Sequence, residues 1–310
     1  MSYSAATTAR VATANVQPHP WDAAAAGWNH HADLIHAWLH DATQAMLDDA
    51  HIGLGARVLD IAAGAGDQTL DIARRIGNTG WVLATDISPG ILALAQKNAQ
   101  AASLKQVSTQ VADVQSLGLA GADFDAAVCR LGLMFCSSPL AALSEIRAAL
   151  KPRGRFTALV FGPPQGNPCV AITLAVARKH AGLAHVSAIK PSCVSEPGTL
   201  MSLGKPGLLE QLLQTAGFAD VVVRSLSAPF HAFSAAHYVD FLRSSASPII
   251  EILAPLSAAA RQAAWSDMTE QLAVFGTASG WTGPNELLRC VATAPCSAED
   301  DMTCPGTDQL

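Results

Sequence analysis

Three aspartates follow strand-like apolar runs in the first half of the chain. Asp60 stands in VLDIAAGAGDQTL, just before a turn that contains Gly64 and Gly66. Asp86 ends the next such run, WVLATD, and Asp113 follows the third, VSTQVA. Since parallel strands present their carboxyl ends at one edge of a sheet, these carboxylates are expected near a common ligand.

The glycine turn and Asp86 together predict a nucleoside cofactor. A turn between a strand and a helix presents backbone N–H groups to a ligand, and glycines allow the ligand to approach closely. A carboxylate at the end of the second strand can accept hydrogen bonds from both ribose hydroxyls. Asp113 can accept a hydrogen bond from the adenine amino group, while the backbone N–H of Val114 meets the ring.

Asp60 discriminates between two classes of cofactor. A dinucleotide would bring a pyrophosphate to this turn, where a carboxylate repels it. S-adenosylmethionine would bring an ammonium group, which Asp60 can orient directly or through water. Thr69 also stands where a dinucleotide site requires Gly or Ala. S-adenosylmethionine is therefore the predicted cofactor, and an NAD-dependent oxidoreductase is the disfavoured alternative.

A parallel sheet must position these residues, and the chain has the pattern of one. Strand-like and helix-like segments alternate from residue 57 to 161, and apolar residues at helical spacing predict two helices between Trp21 and Ala50. Less regular segments follow Phe161 and the strand predicted at 219–226, and such insertions cover the ligand crevice. The fold class is α/β: a Rossmann-like, seven-stranded, mostly parallel sheet with helices on both faces, an N-terminal helical cap and inserted lid segments.

The same pattern divides the chain into segments. They are a disordered leader at 1–18, a helical cap at 19–52, a cofactor-binding core at 53–161, a lid insertion at 162–205, the C-terminal part of the core with a second helical insertion at 206–296, and a disordered tail at 297–310. The leader lacks the apolar region of a secretory signal, and the tail mixes acidic residues, Pro and Gly without periodicity.

The composition of the chain limits the kinds of molecule that it is expected to bind. The net charge is −6 and only 14% of residues are charged, so no basic stripe is available for nucleic acid. No apolar run is long enough to span a membrane. The 7 cysteines form no CxxC pair, which is typical of reduced thiols in a cytoplasmic protein. We expect a cytoplasmic monomer or homodimer whose partner is a small molecule.

The motifs resemble a known family when they are taken in order. VLDIAAGAGDQTL, ATDIS, VADV, FDAAVCRLGLMF and LKPRGRF resemble the successive motifs of class I S-adenosylmethionine-dependent methyltransferases. The nearest resemblance is to the small-molecule enzymes that include the ubiquinone and menaquinone biosynthesis methyltransferases. It covers residues 57–161 strongly and 206–226 more loosely.

This resemblance implies a set of cofactor contacts. The methionine end of the cofactor would be held by Asp60 and by the backbone of Ala62 and Gly64, and the carbonyl of Cys129 would meet the ammonium group. The ribose would be bound by Asp86. The adenine would be bound by Asp113 with Val114. Gln68 and Ile87 complete the predicted set. The chain departs from the family where Ala62 replaces the first glycine of DxGxGxG and where Pro152-Arg153-Gly154 replaces proline-glycine-glycine.

Methyl transfer is an in-line displacement, so the protein contributes mainly by aligning the reacting atoms and excluding water. A histidine base helps when the acceptor is a hydroxyl or an acidic carbon. Cap helices in the resembled group close over the cofactor. Trp28 is therefore predicted to cover the sulfonium, with His30 or His31 facing the acceptor and His31 as the candidate base. The alternative is that Trp28 is a core anchor and both histidines are solvated.

Arg130, Met134 and Phe135 follow the fourth strand, where the acceptor is expected. Arg130 could pair with an anionic or enolised acceptor, and Met134 and Phe135 indicate an apolar, aromatic one. Alternatively, Arg130 is a structural tie and the other two belong to the core.

The remaining reactive residues receive no assigned role. His36 and His40 are one helical turn apart, but without identified partners they indicate an ordinary helix face, and no metal site is predicted. His180, His185 and His231 lie in the inserted regions and are not oriented by the sequence. Arsenite methylation would require cysteines that converge on the pocket.

The predicted function is methyl transfer to a small, largely apolar metabolite that is aromatic or quinol-like, with O- or C-methylation favoured. The absence of Asn/Asp-Pro-Pro-Tyr after the fourth strand disfavours amino-group methylation of nucleobases or protein side chains. A non-catalytic metabolite binder with the same fold stays open as an alternative, because a fold does not specify a function.

Overall fold

The structure is a computed structural model that describes residues 21–119, 121–183 and 198–296. The predicted leader and tail lie outside the described residues, as do His185 and part of the predicted lid insertion.

Helices and strands alternate along the described chain. The strands are β1 (Arg57–Ile61), β2 (Trp81–Asp86), β3 (Val107–Val111), β4 (Phe124–Arg130), β5 (Leu150–Phe161), β6 (Ala219–Ser227), β7 (Phe230–Ala232), β8 (Gly276–Thr277), β9 (Gly280–Gly283) and β10 (Glu286–Thr293). The helices are α1 (Asp22–His30), α2 (Ala32–Asp49), α3 (Asp67–Ile76), α4 (Pro89–Ala101), α5 (Pro139–Ala149), α6 (Pro168–His180), α7 (Leu208–Thr215), α8 (Ala235–Ser245), α9 (Ser247–Leu253) and α10 (Ala258–Leu272).

Seven strands form the central sheet in the order β3-β2-β1-β4-β5-β10-β6. The first five pair in parallel, and β10 is antiparallel to both β5 and β6. The predicted seven-stranded, mostly parallel sheet is confirmed. Because β1 lies between β2 and β4, its carboxyl end is next to the ends of both.

Local chemistry determines how the helices next to the site begin. Gly66 precedes α3 with φ +90°, and a Cβ at this position would lie 3.0 Å from the Cβ of Ala95 on α4. Close packing of the turn on α4 therefore requires glycine. Ser88 caps α4, because its hydroxyl accepts a hydrogen bond from the Ile91 N–H at 3.1 Å and Pro89 follows at the first helical position.

The cap and the two insertions pack together above the carboxyl ends of the parallel strands. Helix α1 lies against α4 and α8, and α6 lies against α9 and α10. A Cβ on Gly27 would lie 1.9 Å from the Ser244 carbonyl oxygen, so α1 and α8 are in very close contact. Within the described ranges, no helix is both long and apolar enough to cross a bilayer.

A second, three-stranded sheet in the order β7-β9-β8 was not predicted, and neither was α9. Strand β8 has 2 residues and β7 has 3. Such short strands carry too little alternation to be recognised in a sequence.

Candidate active site

A cavity of about 780 Å³ lies between the carboxyl ends of the central strands and the helices above them. Its walls come from the turn after β1, the ends of β2 and β4, and helices α1, α2, α6, α8 and α9. The volume is in the range of small-molecule sites.

The turn after β1 opens onto this cavity through Ala62 and Gly64, both with left-handed backbone at φ +53° and +57°. A Cβ on Gly64 would meet no atom within 4 Å, so a ligand can approach the backbone here. Alanine in place of the family's first glycine is accommodated because residue 132 is glycine. A Cβ on Gly132 would lie 2.3 Å from that of Ala62.

The predicted ribose and adenine residues meet at the same end of the cavity. Asp86, Ile87, Asp113 and Val114 all line it. Asp86 accepts hydrogen bonds from the Gly64 N–H at 3.0 Å and the Ser88 N–H at 2.9 Å. The structure thus brings these four residues together with the glycine turn, and we name this part of the cavity the cofactor end.

Asp60 is placed differently from the expectation. Its side chain is fully buried and does not line the cavity. The carboxylate instead accepts hydrogen bonds from the Gln68 amide and the Thr69 hydroxyl at the start of α3. Burial raises the pKa of Asp60 to about 6, although these two hydrogen bonds act in the opposite direction. Contact with an ammonium group was expected either directly or through water, and the geometry does not support the direct form. Asp60 orders the turn from behind. Gln68 itself does line the cavity.

Gly66 and Cys129 do not line the cavity either. Gly66 serves the contact with α4, as described above. Cys129 is fully buried in β4, and burial raises the pKa of its thiol strongly. The first residue of β4 to reach the cavity wall is Arg130, so the prediction of a cofactor contact at Cys129 is not supported by the geometry.

His31 is not at the cavity wall, so the prediction of His31 as the base is wrong. Its Nε2 lies 3.1 Å from the Ser244 hydroxyl, and its ring packs edge-on against Phe241 with centroids 5.4 Å apart. Burial, followed by the neighbouring His30 and His237, lowers the pKa of His31. His31 thus belongs to the contact between α1 and α8, and His30 is exposed.

Trp28 fits both interpretations that the sequence left open. Its indole N–H donates a hydrogen bond to the Ser245 carbonyl at 2.9 Å, which anchors α1 to α8. The same side chain lines the cavity.

Arg130, Met134 and Phe135 all reach the cavity, as expected. Only 7% of the Arg130 side chain is exposed, and its Nη1 lies 2.7 Å from Asp67 Oδ2 and 2.9 Å from the Thr43 hydroxyl. Arg130 is therefore a structural tie that also forms part of the wall. Met134 is buried, and Phe135 packs edge-on against Trp21 with centroids 4.9 Å apart.

An aromatic cluster, which the sequence did not reveal, lines the opposite end of the cavity. Its members are Trp38, Phe161, Phe230, Tyr238 and Phe241. The Phe230 centroid lies 5.2 Å from that of Trp38, 4.9 Å from Tyr238 and 5.1 Å from Phe241. These residues come from α2, β5, β7 and α8, so no local motif could have indicated them. We name this part of the cavity the acceptor end.

The sequence also gave no role to His36 and Asp67, which line the cavity together. His36 Nδ1 lies 2.9 Å from Asp67 Oδ1. Burial opposes ionisation of Asp67, but the ion pair with Arg130 and the contact with His36 outweigh it and lower the pKa of Asp67. The position of Asp67 directly after Gly66 was a local signal for its place at the turn.

Within the part of the chain that the structure describes, the other histidines and the cysteines do not build a second reactive centre around the cavity. His180 pairs with Asp267 at 3.0 Å, and His231 lies 3.1 Å from the Thr282 hydroxyl. No group of three potential metal ligands occurs among the residues that the structure describes. Of the described cysteines, Cys136 alone lines the cavity, and burial raises the pKa of its thiol to about 12. The convergent thiols required for arsenite methylation are not formed by the described residues.

Comparison with known proteins agrees with this geometry. Residues 58–154 match a family model described as a methyltransferase domain. This part of the chain is therefore a methyltransferase domain. The domain resembles the ubiquinone/menaquinone biosynthesis C-methyltransferase UbiE of Paraburkholderia phymatum, with 34% identity over 130 residues that cover 42% of this chain and 53% of the relative. The chain thus matches about half the length of such relatives.

Solved structures confirm the fold of the methyltransferase domain beyond the matched sequence. A phosphoethanolamine N-methyltransferase of Haemonchus contortus in complex with S-adenosyl-L-methionine superposes with a TM-score of 0.52 at 20% identity, over 82% of this chain and 52% of that one. The [4+2]-cyclase SpnF superposes with a TM-score of 0.55 at 18% identity, over 92% of this chain and all of that one. At such identities the likeness concerns the fold alone.

Proposed function

We propose that this chain transfers the methyl group of S-adenosylmethionine to a small, largely apolar acceptor, with O- or C-methylation favoured. One observation carries the proposal. A single continuous cavity has the glycine turn, Asp86 and Asp113 at its cofactor end and the aromatic cluster at its acceptor end. Two substrates can therefore meet inside one enclosure.

The residues of the cofactor end fit S-adenosylmethionine. Gly64 leaves open space beside the backbone, and Asp86 supplies a carboxylate for the ribose hydroxyls. Asp113 and Val114 line the same end of the cavity, which supports their assignment to adenine, and Ile87 adds an apolar surface. When bound, this cofactor supplies an electrophilic methyl group on a sulfonium sulfur.

The acceptor end favours a flat, apolar molecule. Phe230 and Tyr238 are buried aromatic residues, and their rings offer faces and edges for stacking. The UbiE relatives are named as C-methyltransferases of ubiquinone and menaquinone biosynthesis, which supports a quinol-like acceptor.

The net charge of −6 supports a small-molecule partner and disfavours nucleic acid. A cytoplasmic location and a monomeric or homodimeric state remain predictions from the sequence.

Calorimetric titration with S-adenosylhomocysteine and with NAD tests the cofactor assignment. We expect saturable binding of S-adenosylhomocysteine and no response to NAD; the opposite pattern would mean an oxidoreductase. A panel of phenols, quinols, indoles and amines, assayed by mass spectrometry for a methylated product, tests the reaction. Cofactor binding without any methylated product would instead favour the non-catalytic metabolite binder.

A further inference from the structure

A chain of polar contacts runs along the cavity wall from α2 through α3 to the end of β4. His36 Nδ1 lies 2.9 Å from Asp67 Oδ1, and Asp67 Oδ2 lies 2.7 Å from Arg130 Nη1. Arg130 in turn donates a hydrogen bond to the Thr43 hydroxyl at 2.9 Å. His36, Asp67 and Arg130 each line the cavity.

The charge of this array decides which nitrogen of His36 carries the proton. Arg130 is always protonated, and together with His36 it lowers the pKa of Asp67, so Asp67 is a carboxylate that can only accept. A neutral His36 must therefore place its proton on Nδ1 to donate to Asp67. Nε2 is left with a lone pair, and the described residues offer it no hydrogen bond.

The two ends of the array differ in access to solvent. The His36 side chain is 44% exposed, whereas those of Asp67 and Arg130 are 24% and 7% exposed. Asp67 follows Gly66 at the beginning of α3, so the array starts beside the cofactor end. Asp67 is fixed by Arg130 and binds one ring nitrogen of His36, which leaves the other ring nitrogen able to accept a proton. A general base oriented by a carboxylate has this arrangement.

We propose that His36 is the general base of the reaction, with Asp67 as the positioning residue that holds its ring and its tautomer and with Arg130 as the positioning residue for Asp67. This inference rests on the proposed methyl transfer. It replaces His31, which lies in the contact between α1 and α8.

The proton and the electrons balance in this step. The electron pair of the acceptor's O–H or acidic C–H bond becomes available for the new bond to the methyl carbon. The S–C bond breaks, and its electron pair remains on sulfur. The acceptor's proton passes to His36 Nε2. Asp67 stabilises the resulting imidazolium, which then releases the proton to solvent, since 44% of the His36 side chain is exposed.

Several charged or titratable groups lie on the elements next to His36. They are Asp33 and His40 on α2, Asp67, Asp71 and Arg74 on α3, and Arg130 at the end of β4. His40 is exposed, and its ring centroid lies 5.1 Å from that of His36. It provides a matched control one helical turn away that does not line the cavity.

The first test does not require activity. Nitrogen-15 NMR of the imidazole rings, assigned by difference with His36→Gln, reports which nitrogen is protonated in the free chain and in the chain saturated with S-adenosylhomocysteine. We expect a protonated Nδ1 and an unprotonated Nε2 in neutral His36, and loss of this preference in Asp67→Asn. A neutral His36 that carries its proton on Nε2 would overturn the proposal.

The second test is kinetic, with an acceptor that the wild-type chain methylates. We expect His36→Gln to lower kcat by about 10² to 10⁴-fold and to remove the acid limb of its pH profile, with the affinity for S-adenosylhomocysteine unchanged. His40→Gln should behave as wild type.

The outcomes separate the two proposals. An active wild-type chain with an equally active His36→Gln variant would overturn the base assignment alone. A parallel loss of S-adenosylhomocysteine affinity in His36→Gln would indicate a structural role and would also overturn it. A wild-type chain that binds S-adenosylhomocysteine but methylates no acceptor refutes the proposed function, and the base assignment falls with it.

Discussion

The two ends of the cavity are assembled over very different distances along the chain. The cofactor end is formed by residues 62–68, 86–87 and 113–114, each at or just after the carboxyl end of a neighbouring parallel strand. The acceptor end joins Trp38 on α2 to Phe161 on β5, Phe230 on β7 and Tyr238 on α8. One end depends on strand register, and the other on side-chain packing between distant elements.

This difference predicts how each end responds to substitution. Backbone hydrogen bonds between β1, β2 and β3 place the residues of the cofactor end, so a change in the acceptor end should leave cofactor binding intact. The acceptor end has no comparable ladder between its elements, so loss of one ring should disturb both the packing and the shape of the cavity.

The largest effect is expected from Phe230→Ala, which removes a ring that is 1% exposed at the centre of the aromatic cluster. The free energy of unfolding, measured by urea denaturation, should fall by about 3–5 kcal/mol. The acceptor KM should rise while the affinity for S-adenosylhomocysteine is retained. Phe233→Ala is the control, because Phe233 is 86% exposed and its loss should cost under about 0.5 kcal/mol. Equal losses of cofactor and acceptor binding would contradict the independence of the two ends.

Asp60→Asn examines the support behind the cofactor end. The pKa of Asp60 rises from its ordinary 3.8 to about 6 on folding, so the folded state holds the proton more tightly. The stabilisation from this group is therefore complete only below pH 3.8 and is lost as the pH rises through about 6.

The free energy of unfolding of the wild type minus that of Asp60→Asn should accordingly fall by up to about 3 kcal/mol between pH 4 and 7. The difference cancels the contributions of the carboxyls that both chains share. Chemical denaturation at a series of pH values measures it, and a flat difference would show that Asp60 is not a desolvated carboxyl.

Asp86→Ala removes a carboxylate from the cofactor end itself. The affinity for S-adenosylhomocysteine should weaken by about 1–3 kcal/mol through loss of charge-assisted hydrogen bonds. Glu270→Ala, which removes an exposed carboxylate from α10, should leave calorimetric binding unchanged. If Asp86→Ala binds as tightly as wild type, the ribose assignment is wrong.

The smallest effect on the free energy of unfolding is expected from a substitution at Trp28, on the cap helix α1. Trp28→Phe removes the hydrogen bond to the Ser245 carbonyl, and Trp81→Phe removes one of equal length, 2.9 Å, to the Ser108 hydroxyl away from the cavity. Each change should lower the free energy of unfolding by about 1 kcal/mol. We expect weaker cofactor binding for Trp28→Phe only; an equal effect of Trp81→Phe would mean that the cap does not contribute specifically.

The sequence was most informative for reactive side chains that stand at the ends of strands, because the strand ends can themselves be recognised in the sequence. Asp86 and Asp113 were found because each ends or follows a strand of a parallel sheet, and strand ends can be recognised from alternation and turn residues. The same reasoning failed for Asp60. Its place in a strand was correct, but a sequence does not show that Gln68 and Thr69 turn back to bind the carboxylate.

The histidines show the same limit more sharply. His31 lies between the cap helices α1 and α2, and His36 lies on α2. Nothing in their local sequence distinguishes a ring that binds Ser244 from a ring that binds Asp67. Those contacts depend on how α1 meets α8 and how α2 meets α3, which is an outcome of packing between segments far apart in the chain.

The sequence by itself determined the sheet, its covering helices, the class of cofactor and the residues at the strand ends, because these follow from hydrophobic periodicity and short-range turn chemistry. Only the tertiary structure decided which side chains line the acceptor end and which partners His31 and His36 meet. Those pairings join residues 31 to 213 positions apart, and their geometry is set by close packing of whole elements, which leaves no pattern at short range.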